Sequence, residues 1–155
     1  PDRTRRSRVV IKTKHERSML ILQTDLKTID DIASTMSGYY EAWFEVLKSQ
    51  GRLSSCKEAD KESIWKEINK NWDIFSNLSS SNSNVIAKLH ILDAKTALDV
   101  LSNQRELYKS HWHVLQNSIV MSHQDLEEHG SNIGAHRNDF YRSLRKVRKA
   151  LEKNA

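Results

Sequence analysis

Proline is nearly missing from this chain: the only one among 155 residues is Pro1. Glycine is scarce as well, with 4 residues. A domain built from many short strands needs turn residues, so this poverty excludes a β-sandwich. Cys56 is the single cysteine, which rules out an intramolecular disulfide and fits a reducing compartment. No stretch of about 18 apolar residues occurs, so nothing in the sequence itself crosses a bilayer as a helix. Collagen-like repeats, Gly-rich phosphate loops and nucleophile elbows are absent too. Adjacent acidic pairs, Asp30–Asp31 and Glu127–Glu128, point to different helix azimuths and do not form a catalytic carboxylate pair.

Charge and helical periodicity are abundant by contrast. Charged residues make up 29% of the chain, the mean hydropathy is −0.69 and the net charge is +5. The excess positive charge lies at the two ends. Arg3, Arg5, Arg6, Arg8, Lys12, Lys14 and Arg17 face only Asp2 and Glu16 in the opening stretch. Arg137, Arg142, Arg145, Lys146, Arg148, Lys149 and Lys153 face only Asp139 and Glu152 in the closing one. If the termini meet, they form one positive patch suited to lipid headgroups or RNA. Basic stretches like the opening one also flank membrane anchors on their cytoplasmic side. The chain opens Pro-Asp-Arg rather than Met, which fits a processed precursor or part of a longer protein.

Apolar residues at Met19, Leu22, Leu26, Ile29, Ala33, Met36, Tyr40, Trp43 and Leu47 alternate steps of three and four. That is a heptad seam, widened by Ile21, Ile32, Tyr39, Phe44 and Val46 into the stripe of a multi-helix bundle. The sequence predicts helices over about 15–49, 57–78, 85–128 and 132–152, with 1–14 a flexible or membrane-proximal basic segment and 15–153 one domain. Gly51 reads as the stop of the first helix, and Gly38 as a close helix crossing. Ser54 or Ser55 reads as the cap of the second helix, 76–84 as an exposed polar loop, and Ser83 or Asn84 as the next cap. The Gly130–Gly134 stretch reads as a break, although a kinked continuation keeps the periodicity. The expected fold is all-α, a mainly antiparallel four-helix bundle with long, coiled-coil-like helices. One long helix left uncovered by its neighbours makes a homodimer an option.

Five of seven histidines, His111, His113, His123, His129 and His136, fall close together but lack the i, i+3 or i+4 spacing of a helical metal site. They are expected to face solvent or an interface, and neither a metal nor a cofactor is expected. Trp43, Trp65, Trp72 and Trp112 lie on apolar stripes and read as core. Arg105 interrupts a seam between Leu101 and Tyr108, as a paired seam charge or one whose head reaches water.

With His111, Arg105 forms RELYKSH, which resembles the Arg-x(4–6)-His signature of the HEPN superfamily of helical RNases and nucleotide-binding modules. The resemblance covers these seven residues, with Glu106 where the family often has Asn. It implies metal-independent RNA cleavage or RNA binding through Arg105 and His111 at a dimer interface.

The sequence reading favours a non-enzymatic helical interaction or scaffold domain, the cytoplasmic part of a membrane-anchored protein. Arg3, Arg5, Arg6, Arg8, Arg142, Arg145, Lys146, Arg148 and Lys149 would meet an anionic partner, a membrane surface before a nucleic acid. A protein partner or a second copy would bind through the helices. The alternatives are the HEPN-like module and a soluble oligomeric scaffold with no membrane link.

Overall fold

A computed structural model describes the backbone of residues 2–154 and the side chains of residues 13–154. The described residues are helical almost throughout. Five helices succeed one another: α1 (Asp2–Ser55), α2 (Lys61–Ser80), α3 (Asn82–Ile91), α4 (Lys95–Gln116) and α5 (His123–Lys153), with a 3-10 turn at Glu58–Asp60 before α2. α1 spans about 80 Å at 1.5 Å per residue and is the axis of the molecule. Its backbone lies against α2, α3 and α5; α4 lies against α3 and α5 and meets α1 through side chains.

The seam read from the sequence becomes the core only in part. Ile29, Ile32, Met36, Tyr39, Tyr40, Trp43, Val46 and Leu47 are buried, whereas Leu22 and Leu26 are half-buried and Met19 is exposed. Ile68 and Phe75 of α2, Val85 and Leu89 of α3, Ala97 and Leu101 of α4, and Ile133, Phe140 and Leu144 of α5 complete the interior. Aromatic rings fill its centre. Phe75 packs 4.9 Å from both Tyr39 and Trp43, and Trp72 packs 5.2 Å from Phe75 and from Tyr108. Such ring pairs add to the area buried because their edges and faces carry opposite partial charge.

Helix boundaries differ from the sequence expectation in instructive ways. α1 begins before residue 15, and it runs through Gly51 to Ser55, so Gly51 is not a stop. A Cβ at Gly38 would meet nothing within 4 Å, so no helix crosses closely there. Ser54 and Ser55 are the end of α1, and the residue before α2 is Asp60, whose side chain makes no capping bond. The Ser/Asn-rich stretch is helix rather than loop, broken only at Ser81; Ser83 and Asn84 lie inside α3. Ser80 and Ser81 there donate to the carbonyls of Asn77 and Leu78, satisfying the end of α2 locally.

The expected long helix over 85–128 is two helices and part of a third. α3 ends in a Schellman motif: Ala94 N–H donates to Leu89 O and Asp93 N–H to His90 O, with Asp93 at φ 53°. α4 ends the same way, through Ile119 N–H to Val114 O and Ser118 N–H to Leu115 O, with Ser118 at φ 49°. Both left-handed positions usually hold glycine, and neither does here. Ser122 caps α5 by accepting from Asp125 N–H at 3.1 Å. α5 then passes unbroken through Gly130 and Gly134.

Candidate functional site

Two regions contain the residues singled out by their chemistry. The first is the end of the molecule where α5 finishes against α1. Ser18, Ile21, Leu22 and Asp25 of α1 border Leu151 and Asn154 of α5 in one shallow cleft. Further in, Arg148 pairs with Asp30, and Ile29, Ala33, Tyr141 and Leu144 surround that pair. α5 presents its apolar face inward, with Phe140 and Leu144 buried and Val147 and Leu151 half-buried. Its basic side chains take the remaining azimuths. Arg142 bonds Asp139 at 3.2 Å, while Arg145, Lys146, Lys149 and Lys153 are exposed. Lys14 and Arg17 of α1 are exposed at the same end. Arg3, Arg5, Arg6 and Arg8 lie outside the residues whose side chains are described. Beside this positive surface Leu20 is 64% exposed and Ile21 57%, with Met19 next to them.

The second region is the polar interior around α4. His111 is fully buried. Its Nδ1 accepts from Trp43 Nε1–H at 2.8 Å, which leaves the ring proton on Nε2 to donate to Gln50 Oε1 at 2.6 Å. Gln50 Nε2 in turn donates to Met121 Sδ at 3.7 Å. The neutral imidazole is thus satisfied at both nitrogens, and a proton on Nδ1 would break the bond from Trp43. Burial pushes the His111 imidazole down to about 3, and neighbouring His129, its ring 4.7 Å away, adds to the fall. His129 and His136 are also buried, and burial lowers both against the opposing charges of Glu128 and Asp139. His113 and His123 are exposed, so the expectation of surface or interfacial histidines fails for the other three. The reason is that α5 continues through its glycines, which keeps His129 and His136 on one inward face. Trp112, expected in the core, is 46% exposed.

Arg105 and His111 share α4 but not a site. Arg105 is exposed, not a seam charge, and lines a cleft with Tyr108, while His111 is enclosed by Trp43, Trp72 and His129. The helical step from 105 to 111 turns their side chains to different faces. The residue actually facing inward in that turn is Gln104, whose neutral side chain gives no sign of its role in the sequence. Gln104 Nε2 donates to the Tyr39 hydroxyl. Among the described residues, Tyr40 Oη, Asn82 Oδ1, Gln104 Oε1, His129 Nε2 and His136 Nε2 are buried side-chain atoms with no hydrogen-bond partner. Each such atom costs about 1–3 kcal/mol. Among the described residues no group of three or more His, Cys, Asp or Glu side chains is arranged to hold a metal ion. No helix among them is long and apolar enough to cross a membrane.

No protein-family model, curated protein sequence or solved structure matches this chain.

Proposed function

We propose that this chain is a non-enzymatic interaction domain, an antiparallel bundle with a coiled-coil-like first helix, whose α1/α5 end rests on an anionic membrane surface. One observation carries this reading: α5 folds its basic last turns back beside residues 18–25 of α1, close to the exposed Lys14 and Arg17 and next to the exposed Met19, Leu20 and Ile21. Positive charge attracts anionic headgroups, at about 1 kcal/mol for each Lys or Arg near the surface. Exposed aliphatic side chains beside it add apolar insertion, the combination used by interfacial helices. In the same reading α1 leads toward a membrane anchor on its cytoplasmic side, as the charge of its opening stretch suggests.

Co-sedimentation with vesicles tests the proposal. Binding to phosphatidylserine vesicles is expected, with none to phosphatidylcholine alone, and it should weaken as salt rises. Changing Arg3, Arg5, Arg6 and Arg8 together to Ser should weaken it strongly, and so should Arg145, Lys146 and Lys149 to Gln. Binding indifferent to both sets of changes overturns the proposal. Self-association that buries Leu20 and Ile21, measured by sedimentation without vesicle binding, would instead assign this end to a second copy.

A further inference from the structure

The cleft that contains Arg105 has no part in the membrane reading, and its construction is unlike the rest of the surface. α3 is only ten residues long, set off from α2 by the break at Ser81 and from α4 by the Schellman turn at Asp93. The second of these turns folds α4 back along α3 and leaves an opening of about 600 Å³ between them. That volume is in the range of small-molecule sites.

The lining is divided by chemistry. Ile86, Leu98, Leu101 and the Tyr108 ring supply apolar wall. Gln104 and Asn82 also line the cleft; both are more than nine-tenths buried, and each retains an amide oxygen without a hydrogen-bond partner. Arg105 brings a guanidinium, and no carboxylate is among the lining residues. Each part limits the occupant. A cation would meet Arg105 with no acidic partner to offset it. A hydrocarbon would fill the apolar wall but leave the Arg105 guanidinium without a counter-ion.

We propose that this cleft binds a small organic anion with an apolar body. The anionic group pairs with Arg105, and the body lies between Leu98 and Tyr108. Arg105, read from the sequence as an RNA-cleaving or seam residue, is on this account a ligand-binding residue that acts apart from His111.

Anilinonaphthalene sulfonate has both features (an apolar fused aromatic body and a sulfonate) and reports binding by fluorescence. The full chain should bind one probe saturably under native conditions. Arg105→Gln should weaken the affinity about 10-fold, the loss of one charge-assisted hydrogen bond. Ser102→Trp, which fills the mouth from an exposed position of α4, should abolish binding, and Lys66→Gln on the exposed face of α2 should leave it unchanged. Circular dichroism confirms that each variant is folded. Uncharged N-phenylnaphthylamine should bind more weakly than the sulfonate. The proposal is overturned if the folded chain does not bind the probe, or if Ser102→Trp leaves binding intact. Equal affinity for the two probes, or no effect of Arg105→Gln, overturns the anion assignment.

Discussion

The two ends of α1 obey different physics. Around Trp43, Val46 and Gln50 the helix is enclosed by α2, α4 and α5, and the polar atoms of the Trp43 and Gln50 side chains are committed to partners inside the protein. Around Met19, Leu22 and Leu26 the same heptad pattern continues, but only α5 lies alongside; Leu22 and Leu26 are half-buried, and Met19 faces outward with its neighbours Leu20 and Ile21. One repeating sequence pattern therefore yields a closed core at one end and an open, basic and apolar surface at the other. Periodicity specifies that a face is apolar; what covers that face depends on where the neighbouring helices stop.

The sharpest way to break this contrast is at the closed end. Phe75 is fully buried and touches four aromatic rings, so Phe75→Ala should cost about 3–5 kcal/mol in denaturant unfolding. A loss below about 1 kcal/mol would mean that the aromatic centre is not the core.

Acid should act at the same end. His111, with its folded value pushed down to about 3 from 6.5, binds its proton more readily when unfolded. Its stabilising contribution is therefore complete above about pH 6.5 and is lost progressively as pH falls toward 3. His129 and His136 shift in the same direction and add to this. The melting temperature should fall as pH drops below about 6.5, and His111→Gln should flatten that dependence while lowering stability near pH 7.

A smaller effect is expected at the turns between the ends. Asp93 occupies a left-handed position that glycine adopts freely, so Asp93→Gly should raise stability by about 1 kcal/mol. Asp93→Ala should give no such gain. At the open end, Leu20→Ser should change stability by less than about 0.5 kcal/mol, because its side chain is mostly in water already. A loss as large as that of a core residue would show that this end is covered.

Much of the helical content was legible. The seam from Ile29 to Leu47 and the inward face of α5 at Ile133, Phe140 and Leu144 are direct consequences of spacing. The helix stops were not legible, because Asp93 and Ser118 carry the left-handed turns while Gly51, Gly130 and Gly134 sit inside helices. A stop written in Asp or Ser costs some stability and leaves no glycine to read. The cap at Ser122 did leave a trace, since Asp125 lies at capping distance, but it was hidden by apolar residues that kept the seam's phase on both sides. Of the candidate sites, the basic faces were visible as composition. The cleft at Arg105 was not, because it needs α3 and α4 to be separate helices.

An environment-sensitive fluorophore at the open end shows whether that surface meets a membrane. In a Cys56→Ser background, the dye is attached at Leu20→Cys or, on the loop after α4, at Ser118→Cys, and phosphatidylserine vesicles are added. A blue shift and higher intensity are expected at position 20, reversed by salt, with no change at position 118. No response at position 20, or the same response at both positions, would mean that the open end does not rest on the membrane.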